Sequence, residues 1–298
     1  MRTRDLLRMM RPIFILAILA CSATIDRGPI GFDLHNPSRT YTLPPELTEI
    51  SALTDVDAST IACLHDEEAM LYLIDLRTGK IQRKIGFGEP GDMEGLTRVG
   101  DEYFALRSDG FVYRFKLHGD RPELTDTFRL SIPNRNIEGL GWDPHRKVIL
   151  VSPKDTPKGK PEIRDGRNIH CYDPVKKRMC DRPALTLSIK QIIAQAGARG
   201  FEVPMKENDK GKRSPALKLR FSSVAIDPLT DTYFLLSATD RILLVIDRKG
   251  DLIALEQLDE ELFSKPEGIT FLENGDMLIS NEGKDSKPNI HLFSRQEQ

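Results

Sequence analysis

The chain has 298 residues, with 43 lysine and arginine side chains against 45 aspartate and glutamate side chains, for a net charge of −2. Without residues 1–20, which hold four arginines and one aspartate, 39 basic and 44 acidic residues remain, for a net charge of −5. Because nucleic acids and anionic membranes attract basic surfaces, this composition argues against both as direct partners.

Residues 1–20 have the pattern of a signal peptide, with four arginines around and before an apolar run at residues 13–20. That run is too short to span a bilayer as a helix. The letters ILAC before Ser22 resemble the bacterial lipobox, so we expect cleavage before Cys21 and lipidation of that cysteine. Leu19 is bulkier than the lipobox pattern prefers, which keeps ordinary secretion and an uncleaved anchor as alternatives. The expected location is the cell envelope, facing the periplasm or the cell surface.

The region after the signal peptide divides into a linker and one domain. Residues 21–37 contain glycine, proline, aspartate and asparagine without periodicity, which is typical of a linker, here between a lipid anchor and the folded body. Residues 38–298 form the expected domain. It opens with RTYTL at residues 39–43, which is strand-like but belongs to none of the repeats that follow.

A short motif recurs five times along the domain, written ISALTDVD, MEGLTRVG, IEGLGWDP, FSSVAIDP and PEGITFLE. A period in the low forties is typical of the four-stranded blade of a β-propeller. One doubled step indicates either a hidden blade or an insertion. The second residues of the copies are Ser51, Glu94, Glu138, Ser222 and Glu267, which lie 43, 44, 84 and 45 residues apart.

The apolar runs between turn residues predict four strands in most repeats. In the third repeat, SIKQIIAQAGARG at residues 188–200 predicts a helix with Ser188 as its cap, followed by a polar loop. We therefore expect an all-β, five-bladed propeller with a helix-plus-loop insertion in blade 3, and six blades as the alternative. The fifth repeat has three strands, so RTYTL is expected to complete it and close the ring.

The cysteines suit an exported protein. Cys171 and Cys180 flank an Asp-Pro turn signal, so we expect them to face each other across a hairpin and form a disulfide. Spacing alone does not prove connectivity, and two unrelated core cysteines are the alternative. Cys63, in an apolar run, is expected to be a buried thiol.

The innermost strands of a propeller line its channel, so the recurring motif should bring its glutamates to one mouth. A ring of carboxylate, hydroxyl and amide oxygens suits calcium, which takes several oxygen ligands in loose geometry. The alternative is structural: each glutamate bonds the backbone of the next blade, and the following glycine allows close packing. The expected calcium ligands are Glu94, Glu138, Glu267, Asn281 and Glu282. The other residues expected at the channel mouth are Ser51, Ser222, Asp66, Asp109 and Asp240.

The sequence offers little support for an enzyme. It contains no G-x-S-x-G nucleophile elbow, no H-E-x-x-H zinc motif and no glycine-rich phosphate loop. Its histidines are scattered over different repeats, and we predict no catalytic residues. A metal-dependent hydrolase of phosphoesters or lactones, using the acidic mouth, is the alternative function.

The repeated EGL motif, Asp-Pro after the innermost strands, LYLIDLRTGK, and the closing ISNEG with KPNIHLF resemble the SdiA-regulated family, also called YjiK-like or CarP-like proteins. The resemblance covers residues 38–295. It implies an exported bacterial five-bladed propeller linked to calcium responses or surface regulation, with no established catalytic activity. The insertion in the third repeat, FSSVAID and the expected lipid anchor depart from the family pattern. We expect a monomeric binding or regulatory module whose protein or small-molecule ligand docks on the channel-mouth face.

Overall fold

Each repeat of the sequence folds into one antiparallel sheet, and five sheets surround a central channel as the blades of a β-propeller. The computed structural model describes residues 30–134, 136–155, 159, 161–284 and 286–296. The predicted signal peptide and Cys21 lie outside the described residues. After β1 (Arg39–Thr42), the first two blades contain β2 (Ile50–Asp57), β3 (Thr60–His65), β4 (Met70–Asp75), β5 (Lys80–Gly86), β6 (Met93–Val99), β7 (Glu102–Arg107), β8 (Phe111–His118) and β9 (Arg121–Arg129).

Blade 3 differs from the others because its outer edge is made of two short strands. One pairs with the end of the third strand of the blade and the other with its beginning. The blade and the segment that follows it contain β10 (Ile137–Asp143), β11 (Val148–Pro153), α1 (Pro161–Asp165), β12 (Gly166–Asp173), β13 (Arg178–Met179), β14 (Leu185–Ser188), α2 (Ile189–Arg199), β15 (Met205–Glu207) and β16 (Arg213–Pro215).

The last two blades contain β17 (Ser223–Ile226), β18 (Tyr233–Ser237), β19 (Ile242–Ile246), β20 (Leu252–Gln257), β21 (Pro266–Phe271), β22 (Met277–Asn281) and β23 (Asn289–Phe293). The fifth sheet has the order β1-β23-β22-β21, with Tyr41 opposite Ile290. The predicted closure of the ring by the N-terminal strand is confirmed. Because β1 pairs with β23, blade 5 has four strands, and β23 is not left as an unpaired edge.

The insertion after blade 3 is a helix and an exposed hairpin, as predicted. The Ser188 hydroxyl caps α2 by accepting from the Gln191 N–H, and Gly200 ends the helix in the left-handed conformation, at φ 76°. Ile192 and Ala196 are buried against the clusters of blades 3 and 4. β15 and β16 pair only with each other in a two-stranded ribbon, so the alternative of a sixth blade is wrong.

The hydrophobic core consists of five clusters, one at each interface between neighbouring blades. At the interface of blades 1 and 2, for example, Leu71 packs in one cluster with Tyr103 and Phe115. Each sheet is therefore covered on both faces, which explains why its central strands are almost continuously apolar. Among the described residues, no helix is long and apolar enough to cross a bilayer.

The linker predicted at residues 21–37 needs a correction in its second half. Ile30, Phe32 and Leu34 are buried in the cluster between blades 4 and 5, where Phe32 contacts Phe234 and Phe271 edge to face or tilted. This stretch packs without forming a helix or strand, so its sequence lacks the periodicity of either. Its three alternating apolar residues are too few to predict a strand. The folded body therefore extends to at least Ile30.

The hairpin made by β12 and β13 carries the cysteine pair. Cys171 and Cys180 are joined by a disulfide, with their Cα atoms 5.4 Å apart, and Cys63 is a free, buried thiol. Burial raises the pKa of the Cys63 thiol, which keeps it protonated and unreactive.

Candidate functional site at the acidic mouth

The recurring motif places its second residue at a β-bulge in four of the five innermost strands. The register between the first and second strands of each blade skips one residue at Ser51, Glu94, Glu138 and Glu267. In blade 4 the equivalent Ser222 lies just before β17. Because a bulged residue leaves the regular ladder, its side chain is re-aimed, and bulges are common beside functional sites. The bulges explain how one sequence position directs its side chain to the channel in successive blades.

The glycine after each glutamate is required by the close approach of neighbouring inner strands. A Cβ at Gly95 would lie 2.6 Å from the Glu138 carbonyl oxygen, and one at Gly139 would lie 3.0 Å from Ser223 Cα. The packing half of the structural alternative is therefore correct. The hydrogen-bonding half, which concerned the glutamates, is not seen for them among the described residues. Ser222 is the motif residue that bonds the next blade, and its hydroxyl donates to the Pro266 carbonyl at 3.2 Å.

Two of the three motif glutamates, Glu138 and Glu267, are paired with lysines rather than with backbone groups. Glu138, of which 1% is exposed, lies 2.8 Å from Lys154 Nζ. Lys265 Nζ lies 3.2 Å from Glu267 and also contacts Glu282. We call Glu94, Glu138, Glu267, Asn281 and Glu282, with these two lysines, the acidic mouth. Neither lysine belongs to the recurring motif, so the sequence did not predict their role; the signal that could have found them is their position, since Lys154 directly follows β11 and Lys265 directly precedes the PEG motif.

The pKa values of the mouth depart strongly from those of free carboxyl groups. Burial, followed by repulsion from Glu138, raises the pKa of Glu94 to about 9. Burial raises the pKa of Glu138 to about 7, although the Lys154 ammonium opposes the shift. Burial also raises the pKa of Glu267. For Lys154, burial alone would lower the pKa, but the carboxylates of Glu267 and Glu138 outweigh it and raise the pKa. At neutral pH the raised pKa favours an uncharged Glu94 in the field of the charged Lys154.

Several buried oxygen atoms at this end of the channel have no hydrogen-bond partner among the described residues. They include Glu138 Oε2, Glu282 Oε2 and Asn281 Oδ1. The Asn281 amide nitrogen donates to Asn289 Oδ1 at 2.9 Å, which fixes the orientation of the amide and leaves its oxygen unpaired. Ionised carboxylates and amide oxygens are acceptors only, so a partner for these atoms must be a donor or a cation.

Two of the predicted mouth residues have local roles instead. Both carboxylate oxygens of Asp109 bond Arg107, at 3.0 Å, and these hydrogen bonds hold the pKa of Asp109 well below its usual range. Asp240 accepts from the backbone N–H groups of Lys218 and Leu219, at 3.1 and 2.7 Å, and so anchors the end of the insertion. These two aspartates therefore stabilise the conformation of turns and loops, and the acidic loops of the sequence do not all contribute to the channel mouth.

Asp66 lies in a separate group with Glu49 and His65, whose ligand atoms are all within 4.8 Å of one another. Within the described residues this is the one such group of three or more histidine, cysteine, aspartate or glutamate side chains. Burial and the nearby Glu49 carboxylate raise the pKa of Asp66 to about 6. No three of the four mouth glutamates approach one another this closely, so they surround the axis rather than meet at one point. No sequence motif indicates that Glu49 and His65 lie together with Asp66.

No protein-family model matches the chain, and no curated protein matches it. Among solved structures, the chain is similar to the glutaminyl cyclase of Myxococcus xanthus, with a TM-score of 0.56 and 12% identity over 87% of this chain and 95% of that chain. It also matches the β-propeller domain of Cps50 (Swd1) from Myceliophteria thermophila, with a TM-score of 0.46 and 10% identity over 87% and 99% of the two chains. At these identities, the first likeness shows that the chain has a β-propeller fold, and nothing about its ligand.

Proposed function

We propose that this protein is a binding module whose ligand site is the acidic mouth and whose ligand is a small cation, with calcium as the inorganic candidate. The observation that carries the proposal is the set of buried acceptor oxygens without donors, on Glu138, Asn281 and Glu282. These side chains are 1%, 0% and 4% exposed. Leaving a buried polar atom unpaired costs about 1–3 kcal/mol, so a cation that pairs with them is favoured.

The protonation of the mouth is consistent with a cation as its ligand. Burial raises the pKa of Glu94 to about 9 and that of Glu138 to about 7, so both carboxyl groups hold protons near neutral pH that a bound cation would displace. Calcium takes six to eight oxygen ligands from carboxylates, amides and water in flexible geometry, and this mouth supplies both oxygen types. A bound divalent ion would also favour the ionised form of Glu94, so binding should release protons.

Calorimetric titration of the full chain with calcium tests the proposal. We expect saturable binding near neutral pH, with heats that differ between buffers of different ionisation enthalpy because protons are released. Glu138→Gln should weaken binding by about tenfold or more, since it removes a charged ligand. Glu123→Gln changes a carboxylate that pairs with His118 on the outer strand of blade 2 and should bind as wild type does. Folded wild-type protein that takes up neither calcium nor magnesium would refute the proposal.

A metal-dependent hydrolase stays the alternative prediction. Phosphoesters and lactones, tested with and without calcium, separate the two functions. A peptide with N-terminal glutamine belongs in the same screen, because a solved structure with this fold carries the name glutaminyl cyclase. If turnover is lost in Glu94→Gln and kept in Glu123→Gln, the protein is an enzyme and the proposal of a binding module is wrong.

The proposed setting is the cell envelope. The arginines and apolar run of residues 1–20 and the lipobox-like letters at Cys21 support export and lipidation, and the disulfide between Cys171 and Cys180 is consistent with an oxidising compartment. The resemblance to the SdiA-regulated family supports a calcium-linked or regulatory role.

A further inference from the structure

The opposite end of the channel contains a cavity of about 390 Å³. Its walls come from the second halves of the five innermost strands, β2, β6, β10, β17 and β21, and from the turns that follow them. The recurring glutamates lie at the starts of these strands, so the cavity and the acidic mouth are at different ends. Between them, each innermost strand carries a buried aliphatic residue that lines the cavity and belongs to a cluster between blades, namely Leu53, Leu96, Leu140, Val224 and Ile269.

The cavity lining breaks the repeat pattern at one position. This position lies two residues after the aliphatic one. Side chains alternate along a strand, so both positions are on the same side, but at the second position the five blades carry different types of residue. Blades 1 and 2 present charged groups, and blades 3 to 5 present aromatic or aliphatic ones. We call this ring the opposite mouth; its members are Asp55, Arg98, Trp142, Ile226 and Phe271. Packing alone would favour the same apolar residue type at all five positions, as it does two residues earlier.

The polar half of the opposite mouth has a donor and an acceptor that are both incompletely used. Arg98 donates through Nη1 to the Val56 carbonyl at 2.8 Å, and no hydrogen bond among the described residues uses its Nη2. Asp55 lies on the neighbouring blade, and burial raises the pKa of its carboxyl group. A ligand that satisfies both groups must accept a hydrogen bond from Arg98 and donate one to Asp55, as a pair of hydroxyl groups can.

The rest of the lining narrows the class of ligand. Asp57 and Glu273 also line the cavity, so acids outnumber the single arginine and an anionic ligand is disfavoured. Trp142 is half-buried and provides flat apolar surface, which a hydrated inorganic ion does not need. The volume is at the small end of ligand pockets and suits one or two rings. We propose that the opposite mouth binds a neutral, hydroxylated ring compound, a sugar in the simplest case, with Trp142 against one face of the ring.

Trp142 is the single tryptophan of the chain, so intrinsic tryptophan fluorescence reports on this cavity alone. We would titrate the full chain with glucose, galactose, N-acetylglucosamine and maltose. We expect a saturable change in emission with at least one of them, and a Kd of about 10 mM or tighter. Calorimetry with the same sugar should show the binding weakened in Trp142→Phe, which also removes the optical signal.

Matched variants separate this site from the rest of the molecule. Asp55→Asn keeps the shape of the side chain but loses the strong acceptor, and should weaken sugar binding at least about fivefold. Asp181→Asn, at an exposed aspartate that pairs with Arg178, should bind as wild type does, and so should Glu138→Gln at the acidic mouth. Thermal unfolding checks that each variant is folded.

Two outcomes would overturn the proposal. One is wild-type fluorescence that does not respond to any of the four sugars at about 100 mM, where a Kd of about 10 mM would be visible. The other is a saturable response to choline and not to the sugars, which would make the aromatic residues a site for an organic cation. Because Glu138→Gln is included, failure of the calcium proposal and failure of this one are distinguishable.

Discussion

Glu94 is the residue whose acid–base chemistry departs furthest from that of its free amino acid. Its pKa rises from 4.5 to about 9 because the carboxyl group is buried and faces Glu138. The folded protein therefore binds more protons than the unfolded chain between these two values, and stability is lost as pH rises through that window. We expect the thermal midpoint of the wild type to fall by about 2–5 °C between about pH 6 and pH 9.

The contribution of Glu94 is isolated by Glu94→Gln, whose neutral amide replaces the protonated acid. Its midpoint, followed by circular dichroism, should fall less steeply with pH than that of the wild type. Glu123→Gln, on the outer strand of blade 2, should keep the wild-type slope. Equal slopes for wild type and Glu94→Gln would show that Glu94 titrates normally in the folded protein.

Gly141 is a second residue whose identity is imposed by its surroundings. A Cβ at this position would lie 2.3 Å from the Val224 carbonyl oxygen of the next inner strand. Gly141→Ala should therefore lower the free energy of unfolding by about 1–3 kcal/mol in urea titrations. Gly197, inside α2, has no atom within 4 Å of the corresponding Cβ, and Gly197→Ala should stabilise by about 0.5–1 kcal/mol. Shifts of the same sign in both variants would contradict this account of the channel wall.

At the scale of elements, β1 is the strand on which closure of the ring depends. Tyr41 is 5% exposed, packs on Gly79 and belongs to the cluster between blades 5 and 1. Tyr41→Ala should lower the free energy of unfolding by about 3–5 kcal/mol, as for other buried aromatic side chains. Thr42→Ala, at an exposed position of the same strand, should change it by less than about 0.5 kcal/mol.

Deletion of residues 38–44 is the stronger form of the same experiment. It removes the fourth strand of blade 5 and leaves β23 as an unpaired edge, so we expect both a lower thermal midpoint and self-association detected by light scattering. A deletion variant that unfolds at the wild-type temperature as a monomer would show that the ring is held without β1.

At the scale of the whole molecule, the lipid anchor predicted at Cys21 would hold the propeller body at a membrane. If Cys21 is lipidated, the protein should fractionate with membranes, because the acyl chains supply apolar area that inserts into the bilayer. Cys21→Ser should move most of the protein to the soluble fraction, measured by immunoblotting of separated fractions. A variant that stays with the membranes would point to an uncleaved anchor or to a membrane-bound partner.

The sequence determined the architecture because a propeller is built from local repeats. The period of the motif, the turn residues between strands and the orphan strand at residues 39–43 define blades whose contacts are mostly between neighbours in the chain. The helix capped by Ser188 was equally predictable, since capping and helical periodicity are local properties. Residues 30–34 were assigned to a linker because nothing local distinguishes a packed irregular segment from a flexible one.

Only the tertiary structure decided how the mouth residues are used. Glu138 and Asp109 are both acidic residues that the sequence predicts at the channel mouth. Glu138 is buried beside Lys154 at the channel, whereas Asp109 pairs with Arg107 in its own loop. Lys154 and Lys265 pair with the mouth glutamates only because the fold brings the ends of these strands together. The cavity at the opposite mouth depends on five strands that meet only when the ring closes. These are long-range properties. The pKa values and the unpaired oxygens result from burial and from nearby charges, and both arise only when the ring has closed.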